Sequence, residues 1–289
     1  MNFYITAFLL GLSLSAIAMG IFISMKIFNI PDITTDGSYT LGAVITAVCL
    51  THGYPIWLTY LLSVMGGAMA GSITGFIHTK LKVNALLAGI LVMTALYSVN
   101  LSILGRSNTP LLNIHNIFEV ISPTSNPDIN SSIALLINIA LLWTGLSLLL
   151  KTDFGLAMRA TGNSESMIKA LGVNTDRMKI IGLAISNGLV ATAGFLVCQY
   201  QGFADISMGI GIVIVGLGSV MIGEALNHWF NIQNIWMQIA LVVLGAILFQ
   251  LVLAFTLSLG IDPNLLKMVT AVFVLIIVSI PQIRFRKQS

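Results

Sequence analysis

The sequence predicts an all-α polytopic membrane protein of about nine transmembrane helices (eight to ten), with an inverted internal repeat and a short cytoplasmic helix. Three observations predict it: an apolar composition, long charge-free runs, and basic residues gathered on one side. Of the 289 residues 57% are hydrophobic and 8% charged, against roughly 25% charged in a soluble domain. The mean hydropathy is +0.97. These values exclude a soluble globular protein and a disordered chain. The net charge of +3 is small and scattered, which excludes a nucleic-acid-binding surface. Cys49 and Cys198 sit far apart in apolar stretches; they read as small buried hydrophobes, not as a metal or disulfide pair.

The charge-free runs are 1–25, 37–79, 83–105, 129–150, 180–204, 206–223, 225–261 and 268–283. A spanning helix needs about 20 apolar residues, so most runs suit one span. The run 37–79 suits two, divided at His52-Gly53-Tyr54-Pro55. The run 225–261 opens with the polar linker Asn227 to Asn231 and leaves room for one. None of the runs alternates polar and apolar residues as barrel strands do. The first run has no basic residue ahead of it and is too long for a signal-peptide core, so it is expected to be a retained span.

Nine alternating spans place Lys26, Lys80, Lys82, Lys151, Arg159, Lys169, Arg177, Lys179, Arg284, Arg286 and Lys287 on one side. Arg106 and Lys267 fall on the other. The first side is then cytoplasmic, the segment 151–179 is internal, and the loop 105–130 is external. The chain reads as one transmembrane domain, 1–289, with a first repeat over 1–104 and a second over 180–283. Ile30-Pro31-Asp32-Ile33-Thr34 pairs with Phe203-Ala204-Asp205-Ile206-Ser207, and Val83-Asn84 with Pro263-Asn264. An odd number of spans between equivalent elements inverts the second copy, a common transporter plan.

The segment 152–174 is the most informative. Asn163 suits a helix N-cap, Glu165 the first turn, and Gly172 a left-handed C-cap with Val173 as its apolar contact. The helix between them is about two turns long. Met167, Ile168 and Leu171 form its apolar face, and Glu165 and Lys169 make a favourable i,i+4 pair. So short a helix must be held by packing; read from the residues alone, it is either an interfacial connector or a docking element.

The order Gly155-Leu156-Ala157-Met158-Arg159-Ala160, then Gly162-Asn163, then a short helix ending in Ala170-Leu171-Gly172-Val173-Asn174 resembles a known loop. It is the coupling loop of bacterial ABC importer permeases of the branched-chain amino acid and ribose type. The small-residue run 181–194 and the glycine-rich run 216–225 are similar to that family's helices after the loop. Pro31 to Ser38 resembles its uncharacterised or tryptophan/tyrosine-type subgroup. The resemblance runs from about residue 8 to 280. It implies a multi-pass inner-membrane permease with no cofactor of its own, forming the path for a small solute, an amino acid above all. It implies an ABC ATPase as partner, binding ATP and docked at Arg159, Asn163, Glu165, Met167, Ile168, Lys169, Leu171 and Gly172. It also implies an extracytoplasmic substrate-binding protein and a second permease copy in a homodimer. None of the lysines follows a glycine, so the chain holds no P-loop and is expected not to be an enzyme.

Ionisable and amide groups within spans are functional candidates. Asn84, Asn187, Asp205 and Glu224 are the candidates for the translocation pathway, with Glu224 favoured as a structural or gating contact. Asp36 reads as a cap of its own helix. The four histidines have no metal spacing, and no nucleophile–base pair is evident. The alternative is a self-sufficient secondary transporter. Its coupling carboxylates would sit at the midplane, whereas these lie near the span ends.

Overall fold

The computed structural model describes residues 3–276 apart from 113, 115, 121–125, 261, 263, 264 and 267. The expectations placed on His115, Pro123, Pro263, Asn264, Lys267 and the basic C-terminal tail lie outside the described residues. The protein is helical almost throughout, as a chain must be when the solvent cannot satisfy its backbone.

The first helix, α1 (Phe3–Ile21), runs on into a π-helical turn, Phe22–Ile27. A stretch without regular secondary structure leads to α2 (Thr34–Thr51). Then follow α3 (Ile56–Lys80), α4 (Ala85–Leu104), a short strand β1 (Asn108–Pro110), α5 (Ile117–Val120) and α6 (Pro127–Lys151). Two short helices, α7 (Asp153–Asn163) and α8 (Glu165–Ala170), precede α9 (Thr175–Gln201). The strand β2 (Phe203–Asp205), α10 (Ile212–Phe230) and α11 (Ile235–Ser258) complete the labelled elements, and residues 268–276 are again helical.

Seven helical stretches among the described residues are long and apolar enough to cross a membrane: Phe3–Ile27, α3, α4, α6, α9, α10 and α11. The two most buried are Phe3–Ile27 and α9. The helix α9 packs against α1, α2 and α3, while α10 and α11 pack on each other and on α1. The outer helices turn apolar side chains such as Leu141, Met69 and Leu244 outward, as a lipid-facing shell requires.

Small residues let α9 sit this deep. A Cβ on Gly42 of α2 would overlap the Ala191 carbonyl, and one on Gly71 of α3 would overlap the Leu183 carbonyl. Backbones so close cannot admit a side chain. Hydroxyls and one amide then stitch the helices together. Ser186 Oγ donates to the Gly20 carbonyl at 2.7 Å, and Thr34 and Thr74 share a hydrogen bond at 2.7 Å.

The strands pair antiparallel, with Asn108 opposite Asp205 and Pro110 opposite Phe203. They tie the end of α4 to the end of α9. Arg106 lies at this end of the bundle and donates to Thr109 Oγ1 at 3.0 Å. The opposite end carries α7, α8 and the clustered lysines.

Candidate functional site

The connection between α6 and α9 is two short helices. Thr152 Oγ1 accepts from Gly155 N at 3.2 Å and starts α7. The backbone breaks at Ser164, which is extended at φ −152°, and α8 begins at Glu165. Asn163 is therefore the last residue of α7 and not the cap of the following helix. Ser164 stands at that cap position, one residue later than the sequence suggested, because α7 continues through Gly162 and Asn163. The other end of α8 is as expected. Gly172 has φ +84°; its N–H donates to the Lys169 carbonyl, and the Val173 N–H to the Ile168 carbonyl. This doubly bonded left-handed end satisfies carbonyls the helix would leave open. Asn174 then caps α9, its Oδ1 accepting from Arg177 N at 3.1 Å.

Glu165 fastens α8 to α9. Its carboxylate pairs with Lys169 at 2.8 Å and with Lys179 at 2.6 Å, and Thr175 Oγ1 donates to it at 3.3 Å. Hydrogen bonds from Lys169 and then Lys179 pull its pKa from 4.5 to about 2. Lys169 was expected from i,i+4 spacing. Lys179 was not; it lies on another helix, and nothing local in the sequence points to it.

The apolar face of α8 is split. Met167 and Leu171 are 64% and 69% exposed, but Ile168 is buried. Of the three residues of the expected apolar face, only Met167 and Leu171 are open to solvent, since Ile168 packs inward. Beside it opens a cleft of about 700 Å³ lined by His78, Lys82, Asn84, Glu165, Lys169, Gly172 and Lys179, among others. Arg159 and Asn163 belong elsewhere. They line a second cleft, of about 450 Å³, with Lys26, Asn29 and Gln238.

The four candidates for a pathway are not brought together. Asn84 caps α4 at the surface, accepting from Leu86 N at 2.9 Å. Asp205 lies on β2, held below the usual carboxylate range by hydrogen bonds from the Ser207 side chain, its backbone and Asn108. Glu224 pairs with Lys26 at 2.5 Å. Asn187 is fully buried. It donates to Asp32 Oδ2 at 2.7 Å and accepts from Ser38 Oγ at 2.7 Å, so it joins α9 to the start of α2.

Asp36 corrects another expectation. Its carboxylate accepts from Gly211 N at 2.9 Å and Val213 N at 2.8 Å. It caps α10, not its own helix, because the chain before α10 folds back against α2. The sequence offered no local signal for a partner that far along the chain.

Residues 3–279 match the family described as the branched-chain amino acid transport system / permease component. The chain belongs to this permease family. A tyrosine transport system permease protein of Clostridioides difficile is 38% identical over 92% of this chain and 86% of its own. An uncharacterized protein of Rickettsia prowazekii is 34% identical, over 96% and 98%. The autoinducer 2 import permease LsrC of Photorhabdus laumondii is 26% identical, over 72% and 61%. Among solved structures, a metal-chelate type ABC transporter in an inward-facing conformation covers 96% of this chain and 83% of its own. Its TM-score is 0.50 at 15% identity, which supports the fold alone.

The permease is thus a multi-pass protein of the bacterial inner membrane and a non-catalytic translocation component. The helical form of the segment between α6 and α9 was legible in the sequence through local features: cap residues, a glycine stop and one ion pair. Each of these depends on neighbours within four residues. The buried node at Asn187 depends on two helices and the turn before α2, and had no such signature.

Proposed function

We propose that this permease forms the membrane path of an ATP-binding cassette importer for a small solute, an amino acid, delivered by an extracytoplasmic binding protein. A separate ATPase subunit supplies the energy, and two permease copies stand side by side to meet an ATPase pair. The observation that carries the reading is α8: a short helix closed by Gly172 at its C-terminal end and fastened by Glu165, which leaves Met167 and Leu171 exposed at the lysine-rich end. Two large apolar side chains held outward on a stiff aqueous loop suit a protein contact. The aromatic amino acid class is supported by the tyrosine permease relative.

In this reading the chain crosses the membrane nine times. The seven candidate spans are joined by α2, which is 18 residues long, and by the helix over 268–276. An inverted repeat has support in two matching turns. Asp32 Oδ1 accepts from Thr34 N at 2.9 Å, and Asp205 Oδ1 from Ser207 N at 2.7 Å. Each turn leads toward a helix, α2 or α10.

The test is co-purification of the ATPase and substrate-stimulated hydrolysis in proteoliposomes. Met167→Asp and Leu171→Asp are expected to release or uncouple the ATPase while the protein inserts normally. Replacing a buried interface anchor costs about 2 kcal/mol or more, roughly thirtyfold in affinity. Full stimulated hydrolysis and uptake in both variants would reject the docking role. Uptake by the permease alone, without ATPase, would favour a secondary transporter.

A further inference from the structure

The second cleft holds a different chemistry from α8. It opens between the π-helical turn, α7 and the start of α11, and encloses about 450 Å³. Lys26 and Arg159 line it from two different elements, together with the amides of Asn29, Asn163 and Gln238; Asn29 Nδ2 also donates to the Gly162 carbonyl and Gln238 Nε2 to the Ile232 carbonyl. Lys26 is paired with Glu224. Arg159 has no ion-pair partner among the described residues. A guanidinium without a carboxylate, beside amide donors, suits a phosphate group.

The surroundings say where that phosphate comes from. Phe22 and Ile235 give the cleft an apolar wall, and Leu156, one turn before Arg159, is 60% exposed at its edge. Aromatic rings cluster at this end of the bundle. Trp229 and Phe230 are stacked and exposed, and the Lys151 ammonium lies over the Trp236 ring at 5.1 Å. Exposed tryptophan with lysine marks the headgroup layer. The lysine-rich end faces the cytoplasm by the positive-inside rule, and that leaflet is the anionic one.

We propose that this cleft binds the phosphodiester of an anionic phospholipid of the cytoplasmic leaflet, with Arg159 as the main phosphate contact and Lys26 beside it. The acyl chains leave along the apolar wall by Leu156. A lipid held there braces α7 against α11 and the π-helical turn.

The experiment is native mass spectrometry of the full-length permease released from mixed micelles with equal phosphatidylglycerol and phosphatidylcholine. Wild type is expected to retain phosphatidylglycerol preferentially. Loss of one cation near an anionic headgroup lowers retention about fivefold, so Arg159→Gln should show that loss. Lys82→Ala, in the other cleft, should not. Equal loss in both variants, or no preference in wild type, overturns the proposal. Displacement by millimolar inorganic phosphate at the level of competing lipid also overturns it, in favour of a small-anion site. If Arg159→Gln fails to fold, a photoactivatable phosphatidylglycerol is applied to wild type. Crosslinks at 156–159 or 235–238 support the site, and crosslinks confined to other segments reject it.

Discussion

Asn187 works through what it prevents. Interhelical hydrogen bonds in membranes contribute only about 0.6 kcal/mol on average, so the bond to Ser38 explains little by itself. The Asp32 carboxyl is different: it is 1% exposed, and Asn187 is one of its few donors. Asn187→Leu keeps the volume and removes that donor, which is expected to cost about 1–3 kcal/mol. Thermal unfolding of the purified protein in detergent should show a clear drop. Asn84→Leu at the exposed α4 cap should lower it less. Equal midpoints for Asn187→Leu and wild type would mean that Asp32 is satisfied without it. Glu165 gives the pH counterpart. A carboxyl whose pKa falls on folding stabilises the fold above its ordinary 4.5 and loses that contribution as pH drops toward about 2. The tie of α8 to α9 should therefore be constant from neutral pH down to about pH 5 and weaken only in stronger acid. Hydrogen exchange over 165–173 against pH is the measurement. Glu165→Gln should show the loosened pattern at neutral pH.

The helix α8 is too short to persist alone in water, and its two ends decide whether it does. At Gly172, φ is +84°, a region where a β-branched residue costs about 1–2 kcal/mol. Gly172→Val is thus expected to undo the paired bonds from Gly172 and Val173, speed exchange at those amides, and reduce coupling without affecting insertion. Unchanged exchange there would show that packing of Ile168 suffices. This element was legible in the sequence because caps, stops and i,i+4 pairs are local. What was misread was equally informative. Asn163 and Ser164 are both good caps, and only tertiary packing of α7 decides between them. Ile168 shares an apolar stripe with Met167 and Leu171, but a stripe on a two-turn helix does not reveal which part faces its own protein. Asp36 was read as a local cap because the sequence cannot show that α10 begins beside it. The charge-free runs counted α2 as a span, although it is not among the seven described helices apolar enough to cross a membrane. The helix α2 carries many hydroxyls, which its buried setting satisfies and a hydropathy window does not reward.

At the scale of the whole molecule the ion pairs and clefts collect the basic residues at one end. Lys80 pairs with Asp176 at 2.9 Å, and Lys82, Lys169 and Lys179 share one cleft. Lys26 and Arg159 share the other. Arg106 stands apart, beside the β1–β2 ladder. The helix α9 links the two ends: its 27 residues rise about 40 Å at 1.5 Å per residue, enough to cross a hydrocarbon core of about 30 Å. One end of the fold therefore gathers the lysines, while the other carries Arg106 among the carboxylates Glu119, Asp128 and Asp205, and the positive-inside rule assigns the first to the cytoplasm. Cys49 and Cys198 are free and buried, so replacing both with Ala gives a silent background for labelling. In that background Ser107→Cys, next to β1, should react with a membrane-impermeant maleimide on spheroplasts. Arg177→Cys, at the exposed start of α9, should react only in inside-out vesicles. The reverse pattern would invert the topology and put α8 outside, where no ATPase could reach it. Because α4 and α9 each connect the two faces, one labelled position on each side fixes the orientation of the bundle between them.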